Sequence, residues 1–246
     1  MIRLAAGFLA FLLIMASSVY SANSEGNDYK TRGKDTFQKI NFMIDFTDCE
    51  RGSVEIWLKE KGFQFKRDAK NRKKLDLEVG EEGLIFDIKS SMLGMMVNEG
   101  VDLEEFTSIG LEWGINDYPE GASYEAGIRN EALMVIVFFG YEKISSGHFA
   151  IPNAPYFIGF FLGRKEEVGK GYVASYFKKS GRYVCLGNPK EGETVKSEYN
   201  LVEAFKRKYE KDEIPLISGI VLAIDTTKAK NQGKARAFIK SIEFLE

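Results

Sequence analysis

Residues 109–115 read Ile-Gly-Leu-Glu-Trp-Gly-Ile, with a large apolar side chain at every second position. Successive side chains of a β-strand point to opposite faces, so this period of two predicts a strand with one face on a core. The same alternation recurs in residues 42–46, 75–79 and 84–88. Strands with one apolar and one polar face are typical of antiparallel sheets.

Two further segments, residues 132–139 and 156–162, are apolar at both parities. Central strands that are covered on both faces have this composition. With residues 220–224 and 238–244, the pattern predicts about nine or ten short strands. Strands in this number and at this spacing favour an all-β sandwich or barrel over an α/β fold.

Helices are predicted at two places. Asn200, with Glu203 three residues later, has the pattern of a capping pair at the start of a helix. The apolar face of that helix comprises Leu201, Val202, Phe205 and Tyr209. A shorter helical turn is expected after Asp102 by the same capping pattern. The sequence therefore predicts one or two short helices beside the strands.

The amino terminus has the organisation of a signal peptide. Arg3 provides a positive start, residues 4–16 are almost wholly apolar, and Val19 and Ser21 suit the last positions before a cleavage site. The apolar run is shorter than the ~20 residues that span a bilayer as a helix. A retained membrane anchor is the alternative. We expect cleavage after residues 1–21 and export to the periplasm or the extracellular space.

The chain after the expected cleavage site is predicted to form one domain. Residues 22–37 are polar and are expected to be a flexible lead-in. Residues 38–246 contain no internal repeat and no linker rich in Pro or Ser, and they are predicted to form a single β-sandwich domain. No transmembrane segment is expected in the mature chain.

The charge and the scarce ligand residues exclude several classes of function. The 246 residues include 34 Lys and Arg against 36 Asp and Glu, a formal net charge of −2, so no basic excess is present to bind nucleic acid. One histidine, His148, and two cysteines exclude most zinc sites and most histidine-based catalysis. His148 is expected in a surface loop. Cys49 and Cys185 are a candidate disulfide in an oxidising compartment, and two separate buried thiols are the alternative.

Carboxylates leave a catalytic alternative open. Glu112 lies on the opposite strand face from Trp113, Asp117 follows shortly after, and Asp225 ends a very apolar strand. Paired carboxyl groups act as acid and as nucleophile or base when glycosidic bonds are hydrolysed. The 36 acidic residues also make chance pairs common.

Aromatic side chains suggest a surface for a sugar. Trp57 falls on the polar parity of residues 54–59, interpreted as a strand, and is expected to be partly exposed, whereas Trp113 is expected in the core. An exposed aromatic ring beside charged groups is suited to stacking on a sugar ring and binding its hydroxyl groups. Tyrosines that would extend this surface are Tyr118, Tyr124 and Tyr156.

The loop of residues 116–125 is long, polar and placed between two predicted strands. Loops of this kind carry function more often than the strands they connect. Its oxygen atoms are candidate ligands for calcium, although it lacks the regular acidic spacing of a calcium-binding loop. No other cofactor is expected.

The carboxy-terminal residues 217–227 and 235–244 resemble the end of the bacterial family called domain of unknown function three thousand forty-seven. They share an apolar strand, an acidic turn and a return that ends in Ile-x-Phe. Upstream, residues 111–113, 156–163 and 198–209 are similar to the family's Trp-containing strand, aromatic strand and helix. The resemblance covers residues 40–246 and is strongest over 217–246. It implies an exported protein of unassigned activity and an antiparallel jelly-roll sandwich of the galactose-binding type.

The chain departs from the family pattern at its acidic positions. Asp225 alone keeps an acid of the turn, and the Gly-Asp-Asp and Ala-Arg signature is replaced by residues 121–124 and 127–129. If those acids serve a metal or a catalytic site in the family, this chain lacks part of it. The candidate ligand-binding residues are Trp57, Glu112, Tyr118, Arg129 and Asp225.

These observations leave three hypotheses. The first is an exported, non-catalytic module that binds a carbohydrate or another component of the cell envelope. The second is an exported enzyme that acts on a polysaccharide through paired carboxylates. The third is a purely structural protein of the envelope. Binding without turnover distinguishes the first hypothesis from the second.

Overall fold

Strands dominate the computed structural model, which describes residues 29–31, 39–49, 53–149 and 151–246. The described residues form two seven-stranded sheets and two short α-helices. The predicted all-β, antiparallel sandwich with one or two short helices is therefore confirmed. It contains fourteen strands within the described ranges, more than the nine or ten expected, because several short or polar strands lack the alternating pattern.

The strands in chain order are β1 (Tyr29–Thr31), β2 (Ile40–Asp45), β3 (Gln64–Arg67), β4 (Leu75–Gly80), β5 (Gly83–Ile88), β6 (Leu93–Asn98), β7 (Ser108–Asp117), β8 (Glu131–Ile144), β9 (Ala154–Phe161), β10 (Gly171–Val173), β11 (Gly181–Cys185), β12 (Thr194–Asn200), β13 (Ile217–Asp225) and β14 (Ala235–Leu245). The helices are α1 (Val54–Glu60) and α2 (Leu201–Tyr209).

The two sheets differ in strand order. The first sheet runs β1-β12-β7-β14-β5-β4, and β2 also pairs with β14. The second sheet runs β10-β11-β9-β8-β13-β6-β3. Among the described strands, β9 and β11 pair in parallel and the remaining pairs are antiparallel. The long strands β8 and β9 lie inside the second sheet, as their apolar composition predicted.

A shared apolar core joins the two sheets. From the first sheet it takes Trp113, which is fully buried as expected, and from the second it takes alternate residues of β8 such as Val135 and Val137. The one-sided patterns of residues 75–79, 84–88 and 109–115 all place their large apolar side chains in this interlayer core. The alternation in the sequence therefore identified the inner face of the first sheet.

Helix α2 begins where its capping pair predicted. The side chain of Asn200 accepts a hydrogen bond from the backbone N–H of Glu203 at 2.8 Å, and Phe205 packs on Phe139 with ring centroids 4.9 Å apart. The second predicted helix is absent. Asp102 has a φ of +45°, and the backbone N–H and C=O of Leu103 both bond to Ile217, at 3.0 and 2.8 Å. The backbone of this segment is thus held by a bridge to β13 instead of by a helical turn.

Helix α1 corrects the interpretation of residues 54–59 as a strand. The Ser53 side chain caps the helix by accepting from the backbone N–H of Ile56, and the buried Val54 and Leu58 lie four residues apart on one face. Trp57 is half-buried and packs against Phe46 with a centroid distance of 5.9 Å. Trp57 is less buried than Trp113, as predicted, but the reason is its place on a helix.

The described residues cover only part of the two segments predicted at the amino terminus, the signal peptide and the flexible lead-in. The predicted signal peptide, residues 1–21, lies outside the described residues. Residues 29–31 of the predicted flexible lead-in form β1, which pairs with β12 at the edge of the first sheet. Part of the lead-in is therefore a strand. Neither helix in the described ranges is long and apolar enough to cross a membrane.

The predicted disulfide is not present. Cys49 and Cys185 are both buried and are not joined by a disulfide. Cys49 belongs to the interlayer core, whereas Cys185 belongs to a separate apolar cluster on the other side of the second sheet. The two residues therefore do not face each other, and the alternative of two separate buried thiols holds.

Candidate functional site

The second sheet is apolar on both faces. On β8, Val135 and Val137 point into the interlayer core, whereas Met134, Ile136 and Phe138 point to the opposite side. We call that opposite side the outer face. Its strand residues are Met95, Val97, Met134, Ile136, Phe138, Phe157, Phe161, Tyr172, Tyr183, Cys185, Val221 and Ala223, and loop residues Tyr124, Ala174 and Phe177 pack on them.

The first sheet shows the usual contrast between its two faces. Glu112, between the core residues Leu111 and Trp113, points away from the core and lies 2.9 Å from the Lys196 ammonium and 3.6 Å from that of Lys240. Sandwich sheets normally alternate inward apolar and outward polar residues in this way. The apolar outer face of the second sheet therefore requires a separate explanation.

A β-bulge places an acidic residue on the outer face. Ala223 is opposite Met134, and Asp225 is opposite Glu131, so β8 has one residue more than β13 in this interval. A bulge turns the following side chains to the other face of the strand. Without it, Glu131 would share the parity of Val135 and point into the interlayer core. With it, Glu131 and Asp225 lie opposite each other at one end of the outer face.

Glu131 is a buried carboxyl group with one close donor. It is 5% exposed, and the hydroxyl of Tyr124 donates a hydrogen bond to its Oε1. Burial, reinforced by the nearby Asp225 charge, raises the pKa of Glu131 to about 8, against the smaller opposing effects of Tyr124 and Arg129. The group is therefore mostly protonated at neutral pH.

Aromatic rings enclose Tyr124. Its ring stacks on Phe161 at a centroid distance of 3.9 Å and an interplanar angle of 10°, and Tyr172 lies 4.9 Å away. The Arg129 guanidinium lies 5.7 Å from the Tyr124 ring centroid and 5.9 Å from that of Tyr183. Burial raises the pKa of Tyr124 well above its usual value, so its hydroxyl stays a donor.

The two other acids of the region have their own donors. Asp225 is 4% exposed and accepts from the backbone N–H and the hydroxyl of Thr227, at 3.0 and 2.6 Å. Burial raises the pKa of Asp225. Glu166, which is 5% exposed, accepts from the backbone N–H groups of Tyr124, Arg164 and Lys165 at 3.0 to 3.1 Å. These bonds fix both carboxylates in place.

A small cavity lies beside these acids. Its volume is about 20 Å³, room for one polar group of the size of a water molecule. Its polar lining comprises Tyr118, Ser123, Tyr124, Asn130, Glu131, Arg164 and Glu166. Asn130 is 4% exposed, and its Nδ2 has no hydrogen-bond partner. An unpaired buried donor is costly, which marks the cavity as a place for a polar group.

The candidate residues from the sequence divide into two sets. Arg129 and Asp225 lie together near Glu131, and Tyr118 lines the adjacent cavity. Tyr118 is buried, and its hydroxyl lies 2.9 Å from the carbonyl oxygens of Gly163 and Pro189. It therefore does not form an open stacking surface.

The other two candidates lie elsewhere. Glu112 is on the outward face of the first sheet, and Trp57 is on α1 with the Lys61 ammonium 5.2 Å from its ring centroid. Tyr156, named with the stacking tyrosines, packs against α2, its ring 4.6 Å from that of Tyr209. These residues do not contribute to the outer face.

Sequence reasoning missed Glu131, Glu166 and Asn130. The sequence offered one signal for Glu131: it directly precedes a segment that is apolar at both parities. A strand of that composition has no solvated face, so a carboxylate at its start is expected to be buried. Nothing in the sequence indicated the bulge. Glu166 and Asn130 lie in loops, where no periodicity identifies buried polar side chains.

Two other expectations concern ligand residues. Among the described residues, no group of three His, Cys, Asp or Glu side chains is arranged to hold a metal ion. His148 is exposed in the β8–β9 loop, as expected, with its ring 5.5 Å from that of Tyr176.

No family model and no curated protein matches the chain. Among solved structures, it is similar to the carbohydrate recognition domain of Emp46p in a point-mutant form, with 10% identity and a TM-score of 0.38, covering 85% of this chain and 98% of that chain. The potassium-bound form of that domain has 11% identity and a TM-score of 0.36, covering 82% of this chain and 94% of that chain. Endoglucanase 3 of Trichoderma harzianum, from family GH12, has 9% identity and a TM-score of 0.35, covering 75% of this chain and 98% of that chain. The resemblance to the family of unknown function stays a prediction.

Proposed function

We propose that the protein is an exported, non-catalytic binding module whose ligand contacts the outer face of the second sheet, and that this ligand is a carbohydrate or another component of the cell envelope. The observation that carries the proposal is the apolar character of this face. An apolar outer face on a sandwich sheet is unusual, and a mostly apolar lining with a few placed polar groups is typical of a ligand site. The strand residues of this face are at most 9% exposed, so the ligand would reach it at its rim.

The rim of the outer face has the polar groups that a sugar requires. Arg129 and Phe177 are half-buried there. The hydroxyl of Tyr172 donates to Glu125 at 2.9 Å, and the Lys170 ammonium contacts the same carboxylate at 2.7 Å. Aromatic rings beside such groups stack on the apolar faces of sugar rings while the charged groups bind hydroxyls. The proposal therefore places the ligand at the edge where Arg129 and Phe177 are half-buried; Tyr172, only 6% exposed, supports this edge and is not itself a stacking surface.

The enzymatic alternative rests on the Glu131 and Asp225 pair. Two carboxyl groups on adjacent strands, one of them protonated near neutral pH, are the requirement for acid catalysis on a glycosidic bond. Both groups are about 95% buried and already accept hydrogen bonds from Tyr124 or Thr227. A polysaccharide would have to displace this packing to reach them, which is why we favour binding without turnover.

A glycan array and a reducing-sugar release assay on the same protein test the proposal. We expect binding without release of reducing ends, and weaker binding by Phe177→Ala. Glu112→Gln, on the opposite sheet, is the matched control and should bind like the wild type. Turnover that is lost in both Glu131→Gln and Asp225→Asn would establish the enzyme instead.

Export is tested separately. If residues 1–21 are a cleaved signal peptide, amino-terminal sequencing of exported material should read Ala-Asn-Ser, starting at Ala22. Intact Met1 in a membrane fraction would contradict cleavage without bearing on the binding face.

A further inference from the structure

Arg129 differs from the other arginines that lie over tyrosine rings. Arg164, 5.0 Å from the Tyr118 ring centroid, also pairs with Glu191 at 2.6 Å. Arg182, over Tyr209, donates to three backbone carbonyl groups at 2.9 to 3.2 Å. The Arg129 guanidinium has two aromatic neighbours but neither a hydrogen-bond acceptor nor an ion-pair partner among the described residues. Its donors are therefore available to a ligand.

The three acids Glu131, Asp225 and Glu166 at this end of the outer face are buried. Glu131 is bonded to Tyr124, Asp225 to Thr227 and Glu166 to three backbone N–H groups, and each of them is at most 5% exposed. Glu131, with its pKa near 8, is mostly neutral at pH 7. Arg129, in contrast, is half-buried and reaches solvent. A ligand that approaches this end of the outer face therefore meets the Arg129 cation and not these three buried carboxyl groups, and the exposed Glu125 carboxylate at the rim is already paired with the Lys170 ammonium at 2.7 Å.

We infer that Arg129 binds the carboxylate of an acidic sugar, so that the ligand of the outer face is a glycan that contains uronic acid. This inference rests on the proposed function. Guanidinium groups bind carboxylates through two parallel N–H···O bonds, and the Tyr124 and Tyr183 rings hold the guanidinium in place. The half-buried Phe177 ring at the same edge supplies the stacking surface for the sugar ring itself.

Calorimetry with a matched pair of ligands tests the inference. The probes are an oligogalacturonate of defined length and the same oligomer with its carboxyl groups methyl-esterified. We expect the acid form to bind the wild-type protein about tenfold more tightly than the ester, as for a charge-assisted bidentate contact compared with a neutral one. The preference should weaken as salt increases.

Variants at Arg129 locate the source of the preference. Arg129→Gln should bind both oligomers with the affinity that the wild type has for the ester, and Arg129→Lys should keep only part of the preference because ammonium is a point charge. Arg236→Gln is the matched control, because Arg236 contacts Glu78 at 3.6 Å on the outward face of the first sheet. It should retain the full preference. Circular dichroism and a thermal melt confirm that each variant folds.

Each remaining outcome has a definite meaning. Equal binding of the acid and the ester by the wild type overturns the inference and leaves the proposed function intact, whether or not the variants fold. Binding of polyglutamate as tight as that of the uronate, and dependent on Arg129, overturns the assignment to a glycan and indicates an acidic peptide. No binding to any glycan on the array refutes the carbohydrate ligand of the proposed function and the inference with it.

Discussion

Replacing Glu131 with glutamine removes one ionisable group from the outer face while keeping the size and the acceptor oxygen of the side chain. Tyr124 can still donate its hydroxyl hydrogen to the amide oxygen of the new side chain. Glu131 is 5% exposed, so its ionisation in the folded protein requires a charge to be placed in a low-dielectric environment. Glutamine removes that requirement without opening a cavity.

The magnitude follows from the pKa of Glu131. In the unfolded chain the group has its ordinary value of 4.5, and in the folded protein it lies at about 8. Because the folded pKa is raised, this group's contribution to the free energy of unfolding is complete below pH 4.5 and falls as pH rises to about 8. At 1.36 kcal/mol for each pKa unit the full loss is about 5 kcal/mol, of which about 3 kcal/mol is lost by pH 7.

Urea unfolding of the wild type and of Glu131→Gln at pH 5, 7 and 9 measures this loss. We expect similar stabilities at pH 5 and a variant that is about 5 kcal/mol more stable at pH 9. The control is Glu125→Gln. Glu125 is exposed, and hydrogen bonds from Lys170 and Tyr172 lower its pKa, so its contribution is lost only below pH 4.5. A stability difference for Glu131→Gln that is the same at pH 5 and pH 9 would refute the reasoning.

Three further predictions concern stability and reactivity. Trp113→Ala should lower the free energy of unfolding by about 3 to 5 kcal/mol, and Trp57→Ala should lower it by clearly less, because Trp113 is fully buried and Trp57 is not. Thermal melts in which the two variants lose equal stability would contradict this prediction. Asn200→Ala removes the α2 cap and should cost about 1 kcal/mol in urea unfolding, whereas Asn200→Asp should cost little. Cys49 and Cys185 should both react with a thiol reagent after denaturation without reductant, and much more slowly in the native protein; one disulfide in mass mapping would contradict the structure.

Alternation along the sequence was sufficient to predict the interlayer core. A strand with one buried face is constrained to a period of two. Segments such as residues 109–115 and 84–88 can therefore be assigned to strands, with their buried face, from the sequence alone. The helix α2 was predictable because Asn200 and Glu203 form a local capping pair. These features depend only on residues that are close in the chain, and sequence reasoning is strongest there.

The errors have a different physical origin. Residues 54–59 were interpreted as a strand because apolar and polar residues alternate over a short run, yet Val54 and Leu58 also satisfy the helical spacing, and the Ser53 cap decides between the two. The disulfide was expected from the compartment and the even number of cysteines. Whether two cysteines 136 positions apart face each other depends on which side of a sheet each lies, and only tertiary structure determines that.

The candidate site depends on one such tertiary feature. Residues 132–139 are apolar at both parities. The sequence therefore does not determine which alternate side chains of β8 face the first sheet, or to which face Glu131 points. The extra residue opposite β13 turns Glu131 away from the interlayer core and toward Asp225. Had β8 stayed in register, Glu131 would be a carboxyl group among the core residues of both sheets, without the Tyr124 hydroxyl. The bulge therefore keeps the Glu131 carboxyl group out of the interlayer core and forms the polar end of the outer face. Arg129, beside this end, is the residue that we propose binds the ligand.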